Sequence, residues 1–369
     1  MTSRIAALDH LRGLSVLGIL MVNAIAFAQP SAVYDHPHLI AMGPADETVW
    51  TVIAVFFRGK FITAFTLLFG VSTFMVGADP KVLQRRLLWL VLFGLIHGAL
   101  VWYGDILLLY AVCGLVFARW RFTAWRRLLA FGLVVFVIGA VIAGWPQGDA
   151  ATLDLGQLAQ MRSGFFGSLI GNFVQWAVDV VPTVIGYLPV TLGGMMIGLG
   201  LFHSGFLKGE APVKTYILAI VAATASLISL AIAVRAGTPW TPMVNDLLCL
   251  PVTLGYAGVL ALIARGGWGR VMLHPLACAG RMAFTNYLCQ SLIMTAIFYG
   301  GRGLGFSGLG LFGTMAYAAL VPIVGVIWIA QLIVSTLWLR WFRYGPFEWV
   351  WRSLSYGKRL PITRSTAYP

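Results

Sequence analysis

The stretch RIAALDHLRGLSVLGILMVN, from Arg4 to Asn23, decides the fold, because an acid–base pair leads straight into an apolar helix. At 100° and 1.5 Å per helical residue, Asp9, Arg12 and Asn23 fall within about 60° of one another, with Asn23 about 16 Å beyond Arg12. This polar stripe reaches roughly mid-bilayer, where an amide needs a hydrogen-bonding partner from another helix. The stripe is therefore either an ion pair at the membrane surface with an Asn that packs helices together, or part of a functional site.

The composition excludes a soluble globular protein. Of the 369 residues, 60% are hydrophobic and 10% are charged, and the mean hydropathy is +0.88, whereas soluble domains carry about 25% charged residues. The formal charge of +13 comes from short basic clusters between apolar runs, which indicates membrane topology and no nucleic-acid partner. The cysteines stand singly without metal-ligand spacing, so neither a disulfide framework nor a metal site is expected at Cys113, Cys249, Cys278 or Cys289.

About ten apolar runs are long enough to cross the roughly 30 Å of bilayer hydrocarbon. They lie near 11–28, 60–78, 86–103, 105–120, 127–145, 183–202, 214–235, 244–264, 281–300 and 315–339. The start of the chain lacks the features of a cleavable signal peptide, so the first run is expected to be a retained helix. The sequence therefore predicts an all-α polytopic membrane protein with about ten transmembrane helices, no soluble domain, and a single membrane domain over residues 1–369.

Basic residues predict the orientation of these helices through the positive-inside rule. One side of the membrane holds the basic clusters at 81–86, 119–127, 265–281 and 340–364. The other side holds only the scattered residues Arg162, Arg235 and Arg302. Both termini are therefore predicted to be cytoplasmic.

Two predicted outer segments are longer than turns. Residues 29–59 end in an amphipathic piece, TVWTVIAVFF, which we expect to lie in or re-enter the interface, because a helix continuing through Arg58 and Lys60 would be long and doubly charged. Residues 146–182 contain a helical LGQLAQMR and are expected to form either a lid over an outward cavity or an interfacial helix. The domain thus divides into parts at about 1–145, 146–182 and 183–369.

Polar groups inside two of the apolar runs are candidates for chemistry. His97 lies about 16 Å along the third run and eight residues before Asp105, where an imidazole can be a general base, a proton relay or a helix contact. Asn286 and Gln290 in the ninth run are four residues apart and share a face. Their amides suit a carbonyl, an amide or a sugar hydroxyl, and they equally suit pairing with Asn23 of the first run.

Two further patterns concern the ends of helices. The third and fourth runs are joined only by Tyr103-Gly104-Asp105, so they are expected to form a tight helical hairpin. The C-terminal GPFEWVWRSLSYGK carries Glu348 and Arg352 four residues apart beside two tryptophans, which is typical of an interfacial anchor.

Several strings of this sequence resemble the YeiB-like bacterial membrane proteins of the domain of unknown function 418 family. They are LDHLRGLSVLGILMVN, GKFITAFTLLFG, the HG…WYGDILLLY hairpin, GRMAFTNYLCQS and GPFEWVWR, and together they span nearly the whole chain. This resemblance implies a multi-pass protein of the bacterial cytoplasmic (inner) membrane. The opening DxxRG followed by VN is also similar to the start of the heparan-α-glucosaminide N-acetyltransferase family and, more distantly, of the membrane acyltransferase-3 family.

The acyltransferase resemblance implies transfer of an acyl group at or across the membrane, from an acyl-CoA type donor on the cytoplasmic side and without a covalently bound cofactor. In the glucosaminide acetyltransferases a histidine just beyond the first span is implicated in catalysis, and the matching region here holds His36 and His38. In the acyltransferase-3 pattern a histidine ends the first-span motif. This chain has Asn23 there, so that family's base does not transfer to this sequence.

Two functions from different classes fit these features. The leading hypothesis is an acyltransferase-like enzyme that modifies an envelope or extracytoplasmic small molecule or glycan, with membrane lipids around it and His36, His38 or His97 as its base. Arg12 would hold the donor phosphates. The residues expected to bind substrate are Asp9, Arg12, Asn23, Lys60, Asp105, Asn286 and Gln290. The alternative is a transporter or exporter of a small metabolite, in which Asp9, His97 and Asp105 relay protons.

Overall fold

The computed structural model describes residues 5–77, 79–146, 152–303 and 309–364. Residues 78 and 147–151, which the sequence assigned to the second apolar run and to an outer segment, lie outside the described residues. The first eight helices are α1 Ala6–Ala28, α2 Ser31–Asp35, α3 Pro44–Val52, α4 Lys60–Met75, α5 Pro80–Ile96, α6 Leu107–Phe117, α7 Trp125–Ala143 and α8 Leu155–Arg162. They are followed by α9 Phe165–His203, α10 Val213–Ala236, α11 Thr241–Arg265, α12 Gly267–Met272, α13 His274–Arg281, α14 Ala283–Phe298, α15 Tyr317–Trp341 and α16 Pro346–Tyr356.

Apolar helices long enough to cross a membrane make up most of the described chain. There are eight of them: α1, the stretch Pro44–Met75 that includes α3 and α4, the stretch Pro80–Val101 that begins with α5, and α7, α9, α10, α11 and α15. Two shorter apolar helices, Leu107–Trp120 and Ala283–Phe298, coincide with the other two predicted runs. Each predicted run overlaps a helix, so the all-α polytopic membrane class is confirmed. The number of crossings and the cytoplasmic position of both termini stay predictions.

The helix α9 corrects the prediction for the outer segment 146–182. A single helix of 39 residues runs from Phe165 to His203 and contains Pro182 and Pro189, where the sequence placed the end of a loop and the start of a span. At about 58 Å it is roughly twice the length needed to cross the hydrocarbon, so it extends beyond the membrane. Prolines are tolerated inside membrane helices, which is why they did not end this one.

Of the described residues in the segment 146–182, those before α9 form the short helix α8. Its Met161 is completely buried, and the Met161 carbonyl accepts a hydrogen bond of 2.8 Å from the amide of Gly300, just beyond α14. Arg162 donates from Nε to the carbonyl of Phe312 at 2.6 Å. The helix is therefore fastened over the connection between α14 and α15, and the choice between a lid and an interfacial helix stays open.

The other outer segment, residues 29–59, folds back into the bundle. The helix α3 continues as a π-helix, Ile53–Phe57, and the chain then breaks at Arg58 and Gly59, whose φ is +81°. Ile53 is buried, and the hydroxyl of Tyr256 in α11 donates to the carbonyl of Phe56 at 2.9 Å. The predicted break before the second span is confirmed, and the segment packs against α10 and α11 instead of lying only on the membrane surface.

The first span, α1, lies at the centre of the bundle, where it contacts α4, α11, α13, α14 and α15. Its closest neighbour is α13, because a Cβ atom at Gly13 would lie 2.0 Å from the carbonyl oxygen of Leu276, and one at Gly280 would lie 2.0 Å from that of Asp9. Small residues allow such backbone contact between membrane helices. This contact fixes the position of Asp9 and Arg12 along the axis of the bundle.

Candidate functional site

The centre of the candidate site is a buried pair at the turn between α5 and α6. The helix α5 widens after Ile96 into a π-helix, His97–Val101, a distortion that often occurs at functional sites. His97 Nδ1 lies 2.9 Å from Asp105 Oδ1, and the two side chains are 3% and 1% exposed. The second carboxylate oxygen of Asp105 accepts a hydrogen bond of 3.0 Å from the amide of Leu108 in the first turn of α6. The expected tight hairpin is confirmed, and it brings two predicted site residues together.

The opposite nitrogen of His97 takes no part in the contact with Asp105. Its Nε2 atom is buried and has no hydrogen-bond partner among the described residues. With the Nδ1 proton directed at Asp105, Nε2 carries the lone pair, which is the arrangement of an oriented base. The ring of Tyr287 lies 5.2 Å from the His97 ring, centre to centre, and its hydroxyl is buried.

The sequence analysis did not single out Tyr287 as a site residue. Asn286 and Gln290 were identified as candidates because amides are rare inside apolar runs, whereas a tyrosine there commonly serves only for packing. Only the position of His97 on the neighbouring π-helix shows that Tyr287 faces a base.

Two polar side chains that the sequence did not identify hold the π-helix from the outer side. Asn172 of α9 donates to the carbonyl of Gly98 at 2.9 Å and accepts from the amide of Tyr103 at 2.8 Å. Arg302 donates to the carbonyl of Val101 at 2.7 Å. The last carbonyls of a helix have no partner within it, so these bonds satisfy groups that would be costly to leave unpaired in a membrane. They fix the backbone that carries His97.

The end of the bundle that the basic residues predict to face the cytoplasm, called the inner end below, holds a cluster of positive charge. Arg12 Nη1 lies 3.0 Å from Asp9 Oδ1, with the two side chains 25% and 8% exposed, so the predicted pair is confirmed. The guanidinium of Arg86 in α5 lies 3.7 Å above the ring of Trp351, and the charges of Arg12 and Arg352 act on it. Arg86 and His97 lie eleven residues apart on nearly the same face of α5, which places them about 16 Å apart along the helix.

Glu348 joins this inner cluster in a role that the sequence analysis missed. Its Oε1 atom accepts hydrogen bonds from the backbone amides of Phe284 at 2.7 Å and Thr285 at 3.1 Å, so the carboxylate caps the start of α14. Burial raises the pKa of Glu348, and the hydrogen bonds from Thr285 and Phe284 oppose that shift. The spacing to Arg352 and the neighbouring tryptophans suggested an interfacial anchor, whereas the carboxylate closes a helix end.

The amides of α14 are paired with α15 and not with Asn23. Gln290 donates from Nε2 to Gln331 Oε1 at 2.8 Å and to the carbonyl of Val16 at 3.1 Å. Gln331 in turn donates to the carbonyl of Asn286 at 2.9 Å. Val16 precedes Asn23 by seven residues, or about 10 Å along α1. Among the described residues, Asn23 makes no hydrogen bond to either amide. The predicted pairing is wrong because Gln331 pairs with Gln290, while the Asn286 amide donates to Ser335 Oγ and to the carbonyl of Ala279, each at 3.1 Å.

Lys60 is held entirely by protein groups. Its side chain is fully buried, and Nζ donates to Asn245 Oδ1 at 2.6 Å and to the carbonyl of Ala54 at 3.0 Å. A buried ammonium needs such partners. These contacts fasten the folded-back segment to α4 and α11, and a role for Lys60 in binding substrate stays a prediction.

The two outer histidines have surroundings unlike those of His97. The rings of His36 and His38 meet edge to face, with centres 5.8 Å apart, and His38 is exposed. No hydrogen bond from either ring to a carboxylate occurs among the described side chains. Their role as alternative bases stays a prediction.

Comparison with known proteins gives the family of this chain. A family model described as "Protein of unknown function (DUF418)" matches residues 201–358. The chain is 31% identical to "Uncharacterized protein YeiB" of Escherichia coli (strain K12), over 99% of both chains. It is 30% identical to "Uncharacterized protein YxaH" of Bacillus subtilis (strain 168), over 98% of this chain and 97% of that one.

The chain belongs to the DUF418 family. The resemblance to YeiB-like proteins is thereby confirmed, and with the apolar helices it identifies a bacterial multi-pass membrane protein. The likeness covers both the part that carries His97 and the C-terminal part that carries Tyr287 and Glu348. No solved structure matches this member of the family.

Proposed function

We propose that this protein is a transferase of the bacterial inner membrane, which moves an acyl group from a cytoplasmic donor of the acyl-CoA type to an extracytoplasmic acceptor. The observation that carries the proposal is the buried pair of His97 and Asp105, in which His97 presents an unbonded nitrogen. Such a pair is built at considerable cost inside a membrane, where ionisable groups mark functional sites.

His97 acts as the general base in this proposal. Nε2 takes the proton from an acceptor hydroxyl or amine as that group attacks the acyl carbonyl carbon, and Asp105 stabilises the resulting imidazolium. The bond between the carbonyl carbon and sulfur then breaks, and the imidazolium returns the proton to the departing thiolate. The Tyr287 ring lies beside His97, and in this proposal its hydroxyl donates a hydrogen bond to the negative oxygen that develops on the carbonyl.

The inner arginines provide the donor end of the site. Arg12, Arg86 and Arg352 concentrate positive charge at one end of α5, and His97 lies at the other end, about 16 Å away. An acyl-CoA donor carries its thioester at the end of an extended arm, far from its phosphates. The spacing therefore suits a donor whose phosphates stay at the inner cluster while its thioester reaches His97.

The remaining predicted site residues have different parts in this scheme. Asn286 and Gln290 are bonded to α15, so they position α14 and, through it, Tyr287. Asn23 lies on the same face of α1 as Arg12 and further along the proposed path from the donor end. Its contact with substrate stays a prediction, as does that of Asn286 and Gln290.

The transporter hypothesis is supported by one feature of the structure. His97, Asp105 and Lys60 are ionisable groups buried at membrane depth, as expected of a proton relay. Asp9, which the relay would require, is instead engaged with Arg12 at the inner end.

The test is release of CoA from acetyl-CoA by the purified protein in proteoliposomes that contain bacterial envelope lipids and glycans. We expect release by the wild type, a loss of at least a hundredfold in His97→Asn, and wild-type release in His38→Asn. Loss in His38→Asn alone would move the base to the outer loop. If no variant or wild-type sample releases CoA, and a proton flux that depends on His97 appears instead, the protein is a transporter and the proposal is wrong.

A further inference from the structure

A cavity of about 310 Å³ opens at the end of the bundle that is predicted to face the cytoplasm, away from the site of His97. It lies between the end of α4, the connection from α6 to α7 and the end of α9. Its walls include Phe74, Arg121, Phe122, Thr123, Trp125 and His203. The volume is at the small end of the range for pockets that hold small ligands, and none of these residues belongs to the proposed transferase site.

The chemistry of the walls is cationic on one side and aromatic on the other. Arg121 is only 3% exposed, and its guanidinium carbon lies 4.7 Å from the centre of the Phe122 ring. His203 meets the ring of Phe74 edge to face at 4.7 Å. Among the described residues that line the cavity, none is acidic. An arginine fork of this kind recognises phosphate oxygens by two-point hydrogen bonding.

The position of the cavity points to an amphiphile. It opens where α7 begins. Only 28% of the most apolar part of α7 is buried in the protein, so this helix faces lipid along most of its length. Trp125 stands at this boundary, the usual place for tryptophan at a membrane surface. Basic pockets between membrane helices on the cytoplasmic side suit the headgroups of anionic lipids.

We propose that this cavity binds the phosphate of an anionic amphiphile or of a free phosphate ester, with Arg121 as the main contact. The aromatic side chains enclose the part of the ligand next to the phosphate. This site does not depend on the proposed transferase activity, since it shares no lining residue with it.

Native mass spectrometry of the full chain in detergent tests the proposal. The protein is titrated with phosphatidylglycerol, with phosphatidylcholine and with glycerol phosphate. The variants are Arg121→Gln and Arg121→Lys, and the matched control is Arg127→Gln, an exposed arginine in the first turn of α7 whose loss removes the same charge. We expect one phosphate ligand to bind the wild type, about tenfold weaker binding in both Arg121 variants, and wild-type binding in the control.

The possible outcomes distinguish a lipid headgroup from a soluble phosphate ester as the source of the phosphate. Selective binding of phosphatidylglycerol identifies a lipid headgroup, and selective binding of glycerol phosphate identifies a soluble phosphate ester. Equal weakening in Arg127→Gln would show that surface charge alone attracts the ligand, and binding unchanged in Arg121→Lys would show that the fork is not used. Either result overturns the proposal. Because Arg121→Gln removes a buried charge, the thermal midpoint without ligand is measured for every variant. If the Gln variant proves to be unfolded, the binding measured for Arg121→Lys decides the test.

Discussion

His97 and Asp105 face each other across the turn between α5 and α6, with 2.9 Å between Nδ1 and Oδ1. One carboxylate oxygen orients the imidazole while the other closes the first turn of α6, so the hairpin and the base depend on the same side chain. A change that removes the first function and keeps the second can separate catalysis from folding.

Asp105→Asn is that change. Asparagine can still accept the hydrogen bond from the Leu108 amide, but it no longer fixes the proton on Nδ1 or stabilises an imidazolium. We expect acyl transfer to fall at least a hundredfold, with the thermal midpoint within a few degrees of the wild type. The control is Asp154→Asn, since Asp154 accepts from Gln157 in the first turn of α8 and contacts no histidine in the described structure. Full activity in Asp105→Asn would leave Asp105 a purely structural cap.

Arg12→Lys tests the donor end. If Arg12 only pairs with Asp9, the change should be nearly silent, because a partly exposed pair contributes about 0–1 kcal/mol and lysine keeps the charge. If Arg12 grips a phosphate through its planar fork, binding should weaken about tenfold or more without loss of folding. Thermal midpoints with and without acetyl-CoA decide, since a ligand that binds only the folded state raises the midpoint.

The expected result is stabilisation of the wild type and of Lys358→Gln, a surface control, but not of Arg12→Lys. Equal stabilisation of all three proteins would return Arg12 to a structural role. No stabilisation of any of them would count against an acyl-CoA donor.

Gln331→Leu tests the amide chain that joins α14 to α15. The change removes the bond from Gln290 to Gln331 and the bond from Gln331 to the carbonyl of Asn286 inside the membrane, which should cost about 1–3 kcal/mol. The double variant Gln290→Leu, Gln331→Leu removes both side-chain amides of this pair, so neither amide is left without the other. We therefore expect its thermal midpoint to lie above that of Gln331→Leu alone. Strictly additive losses would show that the two amides do not act as a unit.

The orientation of the chain can be tested directly with reporter fusions. The ends of α7 and α16 lie on opposite sides in the ten-span topology, so fusions after Trp145 and after Lys358 should report the outside and the cytoplasm respectively. A fusion after Phe122, in the basic connection before α7, serves as a cytoplasmic control. The same side for Trp145 and Lys358 would contradict the predicted topology.

These tests concern parts of the fold that the sequence predicted to different degrees. Hydropathy located every apolar helix, because the bilayer imposes one length and one polarity on all of them. It did not find that α9 begins at Phe165, since Pro182 looks like a helix end unless the neighbouring helices are known. Backbone periodicity also placed Asp9 beside Arg12 and Asn286 beside Gln290, because those relations are local.

The partners of the polar groups could not be predicted in the same way. The sequence suggested Asn23 as a partner for Gln290, and only the packing of α14 on α15 and α1 shows that Gln331 and the carbonyl of Val16 take that place. Glu348 was interpreted only as part of an interfacial anchor, because its distant partner, the first turn of α14, lies about sixty residues away in sequence. Contacts between distant helices depend on the packing of the whole bundle and produce no periodic pattern in the sequence.

Glu348 also makes stability depend on pH. It lies in α16, which is not one of the apolar helices long enough to cross a membrane, and burial raises the pKa of its carboxyl. The folded state therefore binds the proton more tightly than the unfolded chain does. Its contribution to stability is fully present below the ordinary carboxyl pKa and is lost as the pH rises through the raised pKa of the folded state.

The measurement is the thermal midpoint between pH 4 and pH 8 for the wild type and for Glu348→Gln, with Glu47→Gln at an exposed glutamate as the control. Glutamine keeps one acceptor for the amides of Phe284 and Thr285 but does not titrate, so the advantage of the wild type over Glu348→Gln should shrink as the pH rises. The control should follow the wild type throughout. A growing advantage of the wild type with rising pH would mean that the bonds from α14 favour the carboxylate more than burial opposes it, which reverses the direction of the pKa shift.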